Sequence, residues 1–177
     1  MKRPKISVIM RSFNRAHILP RAIRVVLEQS EPDFELIIVD DGSTDDTQAV
    51  IKQYATADRR IVPVFRTTNS RAFVPREEPM NDGLALSRGR YITYLDDDYL
   101  WRPRFLERMS ALLELDPAIH LVYCDTCDHT TPQECAKMIA NDDRPLSFQT
   151  ESSFIFPHRG QYSKIEFFES GRGYKDY

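Results

Sequence analysis

The chain has 177 residues, 41% of them hydrophobic and 29% charged, with a formal net charge of −3. That length suits one compact domain with a real core, and the balance excludes a disordered chain or one built to grip polyanions, so nucleic acid is not an expected partner. The longest apolar stretches, at 36–39 and 154–156, fall far short of the roughly 20 residues of a membrane span, and Met1-Lys2-Arg3-Pro4 leads straight into a strand pattern, so neither span nor signal peptide is expected.

Residues 6–10 (Ile-Ser-Val-Ile-Met) predict a strand, followed by the polar stretch Arg11-Ser12-Phe13-Asn14-Arg15. Ile18, Leu19, Ala22, Ile23, Val26 and Leu27 then recur at the spacing of one helix face. Residues 34–39 form the near-continuous apolar run of a strand buried on both faces, and the run stops at Asp40-Asp41-Gly42. A helix is expected over 44–57, with Ser43 or Thr44 as its cap and Asp45 and Asp46 in the first, dipole-favoured turn. A strand at 61–65 follows, then a loop holding Arg71, Pro75, Arg76 and Pro79, and a short helix at 81–87. Residues 91–95 read as a strand ending at Asp96-Asp97-Asp98, before a proline-started helix at 103–115 and a strand at 119–123. Such alternation implies an α/β, Rossmann-like fold, a mostly parallel sheet with helices on both faces. The pattern weakens over 125–149 and resumes at 153–156, with a helix around 165–168.

Ligands of an open parallel sheet bind outside the carboxyl ends of its strands, and three motifs fall at such ends here: Ser12 to Arg15, Asp40 to Ser43, and Asp96 to Asp98. Three adjacent carboxylates repel one another, and a divalent cation shared with substrate phosphates would relieve that repulsion. The alternative is a solvated acidic turn near a helix start. Asp40 or Asp41 is placed to accept hydrogen bonds from a nucleobase or ribose. Cys124, Cys127, His129 and Cys135 have some of the ligands of a zinc site, but a strand ending near 123 would send Cys124 and Cys127 to opposite sides. Three reduced thiols in the cytoplasm are the expected state.

Three stretches carry a resemblance: Ile-Ser-Val-Ile-Met-Arg-Ser-Phe-Asn-Arg, Phe-Glu-Leu-Ile-Ile-Val-Asp-Asp-Gly-Ser-Thr-Asp-Asp-Thr, and Gly-Arg-Tyr-Ile-Thr-Tyr-Leu-Asp-Asp-Asp-Tyr-Leu-Trp-Arg-Pro. In this order, across the first two-thirds of the chain, they resemble the family 2 glycosyltransferases, which have the GT-A fold. The resemblance implies transfer of a sugar, with inversion, from a nucleoside-diphosphate donor to an acceptor hydroxyl in polysaccharide or glycoconjugate synthesis. It further implies a uridine or deoxythymidine diphosphate sugar, a divalent cation (Mn2+ or Mg2+) and a carbohydrate or glycolipid acceptor. By position, Ser12 and Phe13 would lie in the donor site, with Phe13 near the base and Asp41 at the base edge. Asp96 and Asp98 match the family's Asp-x-Asp motif and are the metal residues by position, with Asp98 the foremost candidate for direct ligation and Asp97 nearer the ribose or phosphate. Arg71 or Arg76 would touch the nucleotide, and Asp176, in Gly173-Tyr174-Lys175-Asp176, falls where the catalytic base should come.

The chain departs from the family pattern at Arg11, where threonine or proline is usual, at Met80, where arginine is common, and at Lys175, which replaces an acid. The expected organisation is one domain, with residues 1–124 binding the nucleotide sugar and 125–177 forming a partial, truncated acceptor side. A cytoplasmic protein, held to the membrane periphery only through its acceptor, is the matching location. A module that binds a sugar nucleotide without transferring the sugar is the alternative. A nucleotidyltransferase would need a glycine-rich phosphate loop that the sequence lacks.

Overall fold

A computed structural model describes residues 2–70, 79–116, 119, 121–124 and 153–157. Its elements are β1 (Ile6–Ser12), α1 (Leu19–Leu27), β2 (Phe34–Asp40), α2 (Thr47–Ala57), β3 (Ile61–Phe65), α3 (Pro79–Leu86), β4 (Tyr91–Asp96), α4 (Phe105–Leu115), β5 (Val122–Cys124) and β6 (Ser153–Pro157). They build one sheet in the order β3-β2-β1-β4-β6-β5. β1 runs parallel to both β2 and β4, and β2 to β3, while β6 is antiparallel to β4 and β5. The sheet is therefore mostly parallel, as expected, with one reversed strand between β4 and β5 drawn from the stretch where apolar order resumes.

Strand parity divides the core into two layers. Ile6, Val8 and Met10 of β1 and Leu36 and Ile38 of β2 pack with α1, α2 and α4, through side chains including Ile23, Val26, Ile51, Leu106 and Met109. Ile9, Ile37, Val39, Ile92 and Tyr94 face the opposite way, onto Met80 and Leu84 of α3. Both faces of the central strands are covered, which is why β2 is buried at every position. Chain order turns at β1, with β2 and β3 on one side and β4 on the other, so the switch-point crevice opens at the carboxyl ends of β1 and β4.

Several helix starts differ from the sequence-based expectation. α2 begins at Thr47, not 44, and its N-cap Asp46 makes no capping bond. Ser43 Oγ accepts the Asn14 N–H instead, and the Thr47 N–H that opens α2 is taken by Asp45 Oδ1 at 3.0 Å. α4 begins at Phe105, two residues beyond Pro103, and α3 begins at Pro79, two residues before Asn81. β5 is confined to residues 122–124. Cys127, His129, Cys135, Arg71, Arg76, Asp176 and the helix expected at 165–168 lie outside the described residues. No helix among the described residues is long and apolar enough to cross a membrane.

Candidate active site

The loops after β1 and β2 are locked together by Asn14. Its backbone sits in the left-handed region at φ 54°, which asparagine tolerates better than most residues. In that pose its side-chain Oδ1 accepts the Thr44 N–H at 2.8 Å, and its own N–H donates to Ser43 Oγ at 2.9 Å. Arg15 N–H to Thr47 Oγ1 and Ala16 N–H to Asp45 Oδ2 extend the lock. Asp45 is thus structural, as expected. Phe13 is held between this lock and Ser12, and it remains 38% exposed at the sheet's carboxyl edge.

The two aspartates ending β2 have different surroundings. Asp40 is fully buried and accepts the Ser43 N–H and the Gln48 amide, so it closes the turn and anchors α2. Asp41, on the opposite parity, points into the loop after β3. Its Oδ1 accepts the Ser70 N–H at 2.9 Å and its Oδ2 accepts the Ser70 hydroxyl at 2.7 Å and the Asn69 amide at 3.1 Å. Arg66 Nε stands 3.3 Å from Oδ1, and Arg66 Nη1 donates to Asp82 of α3 at 2.8 Å. Gly42, at φ 74°, permits this approach, since a Cβ there would come within 2.7 Å of the Thr68 carbonyl carbon. Sequence reasoning passed over Arg66. The available signal was parity: it follows β3 directly and shares a sheet face with Val62 and Val64, the face Asp41 extends.

The acidic triplet is differentiated residue by residue. Asp96 ends β4 in register with Arg11 of β1, whose Nε lies 3.5 Å from its Oδ1. Asp97 turns inward and accepts the Ser12 hydroxyl at 2.6 Å, with Arg15 Nε 4.0 Å away. Burial pushes the Asp97 carboxyl above the ordinary carboxylate range, Ser12 and Arg15 pull it back, and Asp98 and Asp96 push it up further. Asp98 is exposed, and no described residue pairs with its carboxylate. Ser12, Phe13, Asp41, Asp96, Asp97 and Asp98 thus all lie at the carboxyl edge of three adjacent strands.

Among the described residues no three His, Cys, Asp or Glu side chains form a metal cage. A manganese or magnesium ion that keeps substrate phosphates and waters as ligands needs only one or two carboxylates. Asp98, beside Asp97 and unpaired among the described residues, fits that mode, and a cation there would oppose the repulsion within the triplet.

The mostly parallel sheet with helices on both faces is the GT-A fold, shared with solved glycosyltransferase structures. The description "Glycosyl transferase family 2" matches residues 7–162, and the chain belongs to that family. An uncharacterized glycosyltransferase of Nostoc sp. is 33% identical over 160 residues, 86% of this chain and 48% of its own length. The putative teichuronic acid biosynthesis glycosyltransferase TuaG of Bacillus subtilis is 41% identical over 111 residues, 63% of this chain and 42% of its own. The chain therefore spans less than half the length of these curated relatives. Among solved structures, the mannosyltransferase PcManGT from Pyrobaculum calidifontis, in complex with GDP-Man and Mn2+, superposes with a TM-score of 0.62 at 25% identity, covering 71% of this chain and 36% of that one.

Proposed function

We propose that this chain carries the donor half of an inverting glycosyltransferase that moves a sugar from a nucleoside-diphosphate sugar to an acceptor hydroxyl in glycoconjugate synthesis. The observation that carries the reading is Asp98, exposed and unpaired among the described residues, standing beside a buried Asp97 at the switch point of a family 2 sheet. PcManGT, a relative in fold with GDP-Man and Mn2+, supports a nucleotide sugar and a divalent cation as the ligands. TuaG supports a polysaccharide setting.

In this reading Asp98 ligates the cation and Asp97 orients the ribose or phosphate, held by Ser12. Asp96 contributes negative charge beside them, moderated by Arg11. When bound, the cation neutralises the diphosphate as it leaves. Phe13 stacks on the base, and Asp41, an acceptor-only group when ionised, faces a base N–H. Uracil and thymine present such a donor at N3, so a uridine or deoxythymidine donor fits. Arg71 or Arg76 completes the nucleotide contact. The acceptor oxygen attacks the anomeric carbon as the carbon–oxygen bond to the diphosphate breaks, and Asp176 takes the acceptor's proton.

Calorimetric titration of UDP, dTDP and GDP with and without manganese tests the donor half. Binding that appears only with manganese is expected; no binding of any nucleotide would overturn the reading. Phe13→Ala should weaken UDP binding about tenfold or more, since base stacking on an aromatic ring is worth roughly 1–3 kcal/mol. The second reading, a module that binds the donor without transfer, is separated by Asp176→Asn. If Asp176 is the base, this variant keeps UDP affinity and loses transfer by on the order of a hundredfold or more; unchanged transfer would remove Asp176 from the mechanism.

A further inference from the structure

The geometry points to Arg66 as a positioning residue for base recognition, one that aims Asp41 by tying it to α3. This inference rests on the donor-site reading above and goes beyond it by naming what determines the selectivity of Asp41. An ionised carboxylate offers about four lone-pair sites. Those of Asp41 face four donors: the Ser70 N–H, the Ser70 hydroxyl, the Asn69 amide and Arg66 Nε. A base N–H must displace or share one of them. The Ser70 hydroxyl can rotate away and the Asn69 amide has a second acceptor in the Asp41 carbonyl oxygen, at 3.0 Å. The Ser70 N–H is backbone, and Arg66 is held elsewhere.

Arg66 is anchored at both ends. Its backbone N–H donates to the Asp40 carbonyl at 3.0 Å, continuing the β2–β3 ladder, and its guanidinium bridges Asp41 and Asp82. The side chain is only 12% exposed and the Asp41 side chain 9%, so the pair is screened little by solvent. A planar guanidinium spanning two carboxylates dictates direction as well as charge, which an ammonium cannot do. Arg66 therefore keeps Oδ1 occupied and leaves Oδ2, whose partners are exchangeable, as the oxygen offered to the base. Uracil presents N–H at position 3, where cytosine presents a lone pair that such an acceptor repels. Base preference, rather than diphosphate affinity, should depend on Arg66.

The test is manganese-supported calorimetry of UDP, CDP and inorganic pyrophosphate on the full chain and its Arg66→Gln, Arg66→Lys, Asp82→Asn and Asp41→Ala variants. Arg66→Gln is expected to reduce the UDP-to-CDP affinity ratio by about tenfold with pyrophosphate binding unchanged. Arg66→Lys, which keeps the charge and loses the bridge, should recover only part of the ratio, and Asp82→Asn should lower it less than Arg66→Gln. A purely structural residue would weaken all three ligands alike. That uniform loss, or an unchanged ratio in Arg66→Gln while Asp41→Ala abolishes it, would overturn the inference and leave the donor-site reading standing. An unchanged ratio in Asp41→Ala would overturn the inference and remove Asp41 from base recognition, whereas the donor-site reading falls only if no nucleotide binds. If Arg66→Gln fails to fold, the Lys and Asn variants decide: a ratio equal to wild type in both overturns the inference.

Discussion

Asp98→Ala should abolish manganese-dependent UDP binding, a loss on the order of a hundredfold or more, while leaving the melting temperature near that of wild type. The size follows from the cation's role: with one protein carboxylate as its principal anchor and the rest of its shell supplied by phosphate and water, there is no second protein ligand set to hold it. The unchanged stability follows from exposure, since no described residue pairs with Asp98 and the substitution leaves no buried partner unsatisfied. Asp96→Asn makes the informative comparison. Its carboxylate already faces Arg11 at 3.5 Å, so its removal should cost less metal-dependent affinity than removal of Asp98. Ser12→Ala should fall between them, because Asp97 keeps its place in the turn but loses the hydroxyl that orients it. Calorimetry with and without manganese measures all three. Equal binding by Asp98→Ala and wild type, or equal losses from Asp96 and Asp98, would mean that the triplet is not divided in the way its geometry suggests.

How much of this could be read beforehand depends on whether a signal is local. β1, β2 and β4 were legible because strands buried on both faces are apolar at nearly every position, and the acidic runs that stop them are visible in one dimension. The start of α2 differs because the Ser43 hydroxyl is taken by the N–H of Asn14, about thirty residues away, and Asp45 takes the Thr47 N–H, which a capping preference read from sequence does not reveal. β6 was visible as renewed apolar order, but its place between β4 and β5 depends on long-range pairing. Only the family resemblance, and no local pattern, set Asp41 apart from Asp40 in the sequence. Parity separates them once β2 is registered, sending one into the α2 turn and the other toward the loop after β3. Arg66 was missed for the same reason: its partners, Asp41 and Asp82, lie on two other elements.

The largest effect on stability is expected far from the acidic edge, from Gly89→Ala. Gly89 precedes β4 at the amino end of the sheet, where a Cβ would lie 2.4 Å from the Ser7 nitrogen and 2.7 Å from the Ile6 carbonyl carbon. Those are backbone atoms of β1, which is paired on both sides by β2 and β4 and cannot yield on its own. Moving residue 89 away instead breaks a buried polar chain. The Gly89 N–H donates to Ser7 Oγ at 2.8 Å, Ser7 Oγ donates to Glu35 at 2.7 Å, and Glu35 also accepts the Arg88 N–H and guanidinium. Glu35 is 3% exposed, so a lost partner there is not replaced by water. Overpacking costs about 1–3 kcal/mol when side chains can adjust, and an unsatisfied buried polar group adds about 1–3 kcal/mol, which puts the variant roughly 3–5 kcal/mol below wild type. For a chain of this size that lowers the melting temperature by about 10 °C. The site at the other end of β1, roughly 20 Å away by strand rise, should be undisturbed while the protein is folded, so manganese-dependent UDP affinity at low temperature should match wild type. A melting temperature within a degree or two of wild type would show that the 88–90 turn can shift without cost. A loss of UDP affinity in a variant that is still folded would instead mean that strain at the amino end of β1 is transmitted along the strand to Ser12 and, through its hydroxyl, to Asp97.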